Sequence, residues 1–243
     1  MKMDKIKKKN ISKNNFVLAT NFMYFFVPVI VYSAASLPVL YFLFYILPFF
    51  NFSNPLNILV LPFLGIFVIF FFIVFEIAVP GFFINILRLK YGEGEYDVQS
   101  TNKIFLKMSL FHLLYFFPIK LLDTFNLFYL KKMFLILIGM KIGKNTTIGT
   151  VGVYFMDPCL VEIGDNCYIG SYSVMTSHLI DQKKMITKKI SIGNNCIIGG
   201  ESLILPGVRI EDEVTVGNKS LVTTNKLLER GKIYGGIPAK EIK

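Results

Sequence analysis

The sequence predicts an α-helical membrane region followed by an all-β domain wound as a single-stranded parallel β-helix. Three observations predict it. Hydrophobic residues make up 53% of the 243-residue chain and mean hydropathy is +0.56, whereas a soluble domain is nearer ~45–50% apolar even with glycine counted. That excess lies almost wholly before Met140. From Ile142 onward a six-residue period takes over. The chain therefore divides near residue 140, with transmembrane and interfacial helices over 1–140 and the β domain over 141–243.

Met1 to Asn15 is polar and rich in lysine, and the apolar run from Phe22 to Phe50 follows it. A signal peptide has an apolar core of only ~7–15 residues, whereas a membrane span needs ~20, so this run is a span. Pro28, Pro38 and Pro48 fall within it, which a membrane helix tolerates when neighbours re-satisfy the backbone. A second span fits between Leu56 and Leu87 and contains one carboxylate, Glu76. A charge at mid-membrane costs ~2.5–3.5 kcal/mol on insertion scales. Glu76 therefore either serves a lipid-substrate pocket or a helix pair, or lies near an interface.

Arg88, Lys90 and Lys103 flank a polar loop, Tyr91 to Asn102. Together with the lysine-rich start, they place both ends of the hairpin in the cytoplasm by the positive-inside rule. Two apolar stretches follow. Ile104–Phe117 is too short to span, and Leu121–Met140 is interrupted by Asp123, Lys131 and Lys132. Both read as helices lying on the cytoplasmic face; if both spanned, the β domain would stay on the same side. The expected location is the cell membrane, multi-pass, with the β domain cytoplasmic.

The net charge of +10 suits an anionic membrane surface. Nucleic-acid binding is not expected, because no aromatic–basic stripe lies in the polar half. The three cysteines, Cys159, Cys167 and Cys196, are odd in number and irregular in spacing. They predict neither a disulfide framework nor a metal site.

The period runs Ile142, Ile148, then Ile163, Ile169, Met175, then Ile192, Ile198, Ile204, Ile210, Val216, Val222, with glycine following many of these residues. Three such hexads make one turn of a triangular coil. The aliphatic first residue and the small fifth residue, such as Cys167, Ser173 and Cys196, point into a narrow prism. Stacked coils bury a continuous column that one coil cannot bury alone. Glycine at the second position is expected to serve the tight corner.

Two breaks interrupt the period. Between Ile148 and Ile163 the phase slips around Tyr154 to Pro158, and a polar loop, Asp181 to Lys189, intrudes after Ile180. Loops on solenoids usually line the binding face. The chain has two histidines. His112, in an apolar stretch, reads as a satisfied interfacial residue. His178 falls at the fourth position of its hexad, pointing outward at a corner just before the inserted loop. Such a position suits either a plain surface histidine or a general base, whose ordinary pKa of ~6.5 fits proton removal near neutrality.

Lys141 to Lys243 resembles the hexapeptide-repeat acyltransferases, whose β-helix is left-handed. Val174-Met175-Thr176-Ser177-His178 looks like the family segment that carries the catalytic histidine. Ile198-Gly199-Gly200 through Ile204-Leu205-Pro206-Gly207-Val208 resembles its late coils, as does Val216-Gly217-Asn218-Lys219-Ser220. Gly235-Gly236-Ile237-Pro238-Ala239-Lys240 resembles its C-terminal signature. The apolar segment leading through Ile138-Gly139-Met140-Lys141-Ile142-Gly143 into Asp157-Pro158-Cys159-Leu160-Val161-Glu162-Ile163-Gly164-Asp165 is similar to the membrane-associated terminal domain of polylysine-synthetase-type enzymes.

The resemblance implies a homotrimer with acyl-coenzyme A lying along the β-helix wall between two subunits. His178 is then the base, with Gly200 by the thioester, Asn218 by the pantetheine arm, and Thr223 and Lys240 near the nucleotide end. Asn218 stands where the family has a small residue, so a pantetheinylated acyl carrier protein is an alternative donor; this chain carries no carrier module, and that carrier is expected to be separate. A carboxylate that orients the imidazole is expected by triad logic, with Asp157 and Asp181 as candidates. The reading is an acyltransferase moving an acyl group from a thioester to a hydroxyl or amine of a lipid or lipid-linked acceptor. The alternatives are a carrier-dependent amide-forming enzyme and a non-enzymatic trimerising membrane scaffold.

Overall fold

The computed structural model describes residues 2–51, 53–98, 102–181 and 184–242, with side chains from residue 21 onward. It divides into two compact units. One runs to Arg88 and includes Leu113–Leu121; the other comprises Leu89–His112 and Leu122 onward.

The first unit is built on α1 (Lys2–Ile46) and α2 (Pro55–Ile86). Helix α1 continues through Pro28 and Pro38, and a 3₁₀ turn, Leu47–Phe49, carries Pro48. Asn54 caps α2: its side chain accepts from the Leu56 amide at 3.0 Å, and Pro55 occupies the first helical position, where no N–H is needed. Val31, Ala35 and Val39 of α1 and Ile73, Ile77 and Ile84 of α2 are buried. Phe44, Leu59 and Phe63 of these helices and Phe49 of the 3₁₀ turn stand exposed.

The second unit begins with Leu89 and includes a short strand, β1 (Gly94–Asp97), inside the segment expected to be a polar loop. Helix α3 (Lys103–Thr124) is longer than the stretch Ile104–Phe117 read from sequence, because it continues through Pro118. Three helices in the described residues are therefore long and apolar enough to cross a membrane: Asn21–Phe49, Pro55–Ile86 and Lys103–Thr124. The following stretch is only partly helical. Asn126 turns with φ of 52°, and α4 (Phe128–Leu137) holds 10 residues. The charges that interrupt this stretch pair with each other: buried Lys131 Nζ lies 2.5 Å from Asp123 Oδ1. Burial pushes the Lys131 ammonium below the usual lysine range, against the pull of Asp123.

From Lys141 the chain winds into a triangular coil. Its first turn is β2 (Lys141–Ile142), β3 (Thr147–Ile148) and β4 (Tyr154–Phe155). The second is β5 (Val161–Ile163), β6 (Tyr168–Ile169) and β7 (Val174–Met175), followed by a hairpin of β8 (His178–Asp181) and β9 (Lys184–Thr187). The third is β10 (Ile190–Ile192), β11 (Ile197–Ile198) and β12 (Leu203–Ile204), and the fourth is β13 (Arg209–Ile210), β14 (Thr215–Val216) and β15 (Leu221–Val222). The last holds β16 (Leu227–Leu228) and β17 (Ile233–Gly235), onto which β18 (Lys240–Ile242) folds back antiparallel. Successive turns pair in parallel, giving faces of order β16-β13-β10-β5-β2, β17-β14-β11-β6-β3 and β15-β12-β7-β4.

The expected inward column is present: Ile163, Ile169, Met175, Ile192, Ile198, Ile204 and Val216 are buried, as are Cys167, Ser173, Cys196 and Ser202. The glycines act differently from the expectation. The left-handed corner falls at the fourth position, not the second: Asn145, Asn166, Tyr172, Asn195, Glu201, Glu213, Lys219 and Asn225 have φ between 55° and 63°, and Gly207 and Gly231 take 78° and 70°. Gly170, whose φ is not left-handed, is needed for close approach: a Cβ there would lie 2.4 Å from the Gly200 amide nitrogen of the next turn. The inserted loop is the β8–β9 hairpin, and β1 adds to it antiparallel with Tyr96 opposite Met185.

Candidate active site

The corner between the third strand of one turn and the first strand of the next is where the coil departs from its period. In the first turn that corner is a 3₁₀ segment, Pro158–Leu160, preceded by Asp157; in the second it opens into the hairpin that starts at His178. Stacking the two turns brings these residues together. His178 Nδ1 lies 2.7 Å from Asp157 Oδ2, and the same oxygen accepts from the Ser177 amide at 3.0 Å. The other carboxylate oxygen, Oδ1, accepts from the Tyr91 hydroxyl at 2.5 Å. Tyr91 is held there because β1 docks on β9 and because the Thr187 hydroxyl donates to the Gly92 carbonyl at 2.9 Å.

Asp157 is fully buried. Burial pushes its carboxyl up, but the hydrogen bond and charge of His178, the Tyr91 hydroxyl and the charge of His112 outweigh that, so its pKa is held below the usual aspartate value. An anionic carboxylate only accepts hydrogen bonds, so it fixes the proton of His178 on Nδ1. Nε2 then carries the lone pair. It makes no hydrogen bond among the described residues, and the side chain is 20% exposed. The result is an oriented imidazole with its basic nitrogen directed away from its carboxylate, the geometry of a general base.

His112 belongs to this cluster, which the sequence did not reveal. Its Nδ1 is 2.8 Å from the Met108 carbonyl, its Nε2 is 2.5 Å from the Met156 carbonyl, and Asp157 Oδ1 lies 3.9 Å from Nε2. Both carbonyls only accept, so each contact is a hydrogen bond when the ring nitrogen facing it carries the proton. The ring centroids of His112 and His178 are 6.1 Å apart. Tyr91 also escaped the sequence reading.

Asp181 sits at the far end of β8, opposite Lys184 in the hairpin register and exposed, and among the described residues no hydrogen bond or ion pair joins it to His178. Thr223 follows β15, on the same corner as His178 two turns further on. Gly200 and Asn218 lie instead on the corner between the second and third strands, after β11 and β14. There the Asn218 side chain accepts from the Gly200 amide at 2.9 Å, so that amide already has a partner. Lys240 opens the returning strand β18 and is exposed.

Residues 189–224 match the family described as Bacterial transferase hexapeptide (six repeats). The chain is 33% identical over 106 residues to the Putative acetyltransferase YvoF of Bacillus subtilis (strain 168), covering 42% of this chain and 59% of that protein. It is 26% identical over 106 residues to Delta-poly-L-ornithine synthetase of Acinetobacter baumannii (strain AB307-0294), covering 44% of this chain and 8% of that protein. The chain thus spans less than two thirds of either relative's length. A solved hexapeptide-repeat containing acetyltransferase from Vibrio cholerae matches with a TM-score of 0.41 and 26% identity, over 44% of this chain and 62% of that one. Residues 189–224 carry the hexapeptide repeats of that family, and the β domain is wound as a left-handed parallel β-helix.

Proposed function

We propose that this protein transfers an acyl group from a thioester to a hydroxyl or amine of a lipid or lipid-linked acceptor, with His178 as general base and Asp157 as its orienting carboxylate. The observation that carries this reading is the 2.7 Å contact between His178 Nδ1 and Asp157 Oδ2, which leaves Nε2 free at a corner of the coil. In the reaction Nε2 takes the proton of the acceptor O–H or N–H. The acceptor atom bonds to the thioester carbonyl carbon, the C–S bond breaks, and the proton passes from Nε2 to the sulfur, releasing a free thiol. Asp157 stabilises the imidazolium that exists between the two proton transfers.

The name of the Bacillus relative supports acetyl as the group transferred, and the donor proposed for it is acetyl-coenzyme A. The name of the synthetase relative supports an amine acceptor; a pantetheinylated carrier stays the alternative donor only because Asn218 stands beside Gly200. The long apolar helices support a lipid acceptor and attachment to the membrane. In this reading the β domain is cytoplasmic, α1 and α2 cross the membrane, and α3 lies on its cytoplasmic face. His178 and Thr223 occupy one corner of the coil, Gly200 and Asn218 another. A donor site that uses both takes one corner from each of two copies, which favours a homotrimer.

The test is thiol release from acetyl-coenzyme A by the detergent-purified chain, with a membrane lipid extract as acceptor. General-base catalysis contributes ~10²–10⁴-fold, and His178→Ala should lose about that factor while keeping its oligomeric state. Near-full activity in that variant would remove His178 from the chemistry.

A further inference from the structure

The first compact unit holds a cleft of its own. It measures about 470 Å³ and lies among Tyr32, Ser33 and Ser36 of α1, Phe72 and Glu76 of α2, and Phe117. Glu76 is only 1% exposed. Its Oε1 accepts from the Ser36 hydroxyl at 3.0 Å, but that hydroxyl also lies 2.9 Å from the Tyr32 carbonyl, and a serine has a single proton to give. Its Oε2 has no hydrogen-bond partner among the described residues. The nearby Tyr32 hydroxyl is already used, donating to the Leu113 carbonyl at 2.7 Å. At a rise of ~1.5 Å per residue, Glu76 lies about 15 Å before the end of α2 at Ile86. That depth falls within an apolar layer ~30 Å thick, where water is scarce and an unmet polar group is costly. The remaining walls, including Leu37 and Leu40, are apolar.

We infer that this cleft binds an amphiphile whose polar end is a hydrogen-bond donor, a long-chain alcohol or amine, with that donor on Glu76 Oε2 and the chain along Leu37, Leu40 and Phe72. An acceptor-only head group, such as a fully ionised phosphate, would face the carboxylate oxygen with nothing to give. The alcohol and the amine share the needed chemistry and differ in charge. This site does not rest on the transfer reaction proposed for His178, since nothing in it requires that chemistry.

The full-length protein in nanodiscs would be exposed to a photoactivatable long-chain alcohol, the matching amine and the matching methyl ether, and the labelled residues mapped. The alcohol, the amine or both should label Tyr32–Leu40 and Phe72–Glu76, while the ether, which has lost its donor, should not. A hydrogen bond to a charged group is worth enough that Glu76→Gln should weaken capture of the amine about 10- to 100-fold. The alcohol should lose less, because glutamine still offers one acceptor oxygen. Glu76→Leu should abolish both. His178→Ala should leave labelling unchanged, which separates this site from the proposed transfer. Equal labelling by the ether in the unaltered protein would overturn the proposal without recourse to any variant, as would labelling indifferent to Glu76→Leu.

Discussion

Asp157→Asn tests how the site orients the proposed base, His178, and the hydrogen-bond geometry sets the size of the effect. Asp157 Oδ2 faces two donors, His178 Nδ1–H and the Ser177 amide, while Oδ1 faces one, the Tyr91 hydroxyl. An asparagine amide has one oxygen and one NH₂ to distribute. The Ser177 amide cannot turn round, whereas a tyrosine hydroxyl can rotate to accept. The asparagine oxygen therefore takes the His178 side and the NH₂ takes the Tyr91 side, so the imidazole keeps its proton on Nδ1. What is lost is the charge. A hydrogen bond to a charged group is worth ~1.5–3 kcal/mol and a neutral one ~0.5–1.5 kcal/mol, so the imidazolium loses about 1–2 kcal/mol, or about 5- to 30-fold in rate. Asp157→Ala should be far worse. It removes the orienting acceptor, so turnover should approach that of His178→Ala. It also removes the acceptor of the buried Ser177 amide, at ~1–3 kcal/mol. The assay is thiol release under saturating donor, beside a thermal melt of each variant. If Asp157→Asn lost as much rate as His178→Ala while melting normally, the tautomer would have flipped and the reasoning from Ser177 would fail. Full activity in Asp157→Asn would remove the charge from the mechanism.

Gly170→Ala places a Cβ 2.4 Å from the Gly200 amide nitrogen, and since overpacking typically costs ~1–3 kcal/mol, the melting temperature of the coil should fall measurably; an unchanged melt would mean that the turns can part at no cost. Lys131→Met leaves Asp123 without the ammonium that lies 2.5 Å away, and breaking a buried pair costs ~3–5 kcal/mol. Pairing that change with Asp123→Leu should recover part of the loss in a denaturation experiment. The Asp157 carboxyl is held below its usual value in the fold, so its stabilising contribution is complete above the ordinary aspartate pKa of ~3.9 and disappears as pH falls through the lower folded value. Melts of the native protein and Asp157→Asn across acidic pH should therefore converge below about pH 4; a constant gap would contradict the linkage.

The coil was legible because its period repeats a physical requirement. Each turn must put an aliphatic residue and a small residue into the same narrow prism, so Ile192, Ile198 and Ile204 announce their faces without reference to anything distant. Helices α1 and α2 were legible for a similar reason, since a long uninterrupted apolar run has few other uses. The end of α3 was not, because Pro118 reads as a stop in water and is carried within the helix here. The glycines were seen, but their reason was misassigned: a sequence displays the residue missing its Cβ, not the backbone of the next turn that Cβ would strike.

The site was legible only in so far as it follows the coil. His178 stood out as an outward residue beside an interruption, and Asp157 as part of the phase slip. Their meeting follows from where the extra residues fall. The chain spends one residue more than the period between Ile148 and Phe155 and two more between Phe155 and Ile163, so the corner carrying Asp157 is the enlarged one. Parallel pairing of Phe155 with Met175 then sets Asp157 against the segment just after Met175, which carries Ser177 and His178. Asp181 is closer to His178 in sequence, but β8 is extended and carries it away along the hairpin. Tyr91 and His112 obey no such rule. Tyr91 arrives from 66 residues upstream because β1 joins the hairpin, a pairing that leaves no local signature in either strand, and His112 arrives on a helix whose apolar surroundings make it look like filler. A repeat reports its own stacking in sequence, whereas a side chain delivered to it by a separate element becomes visible only when that element has been placed.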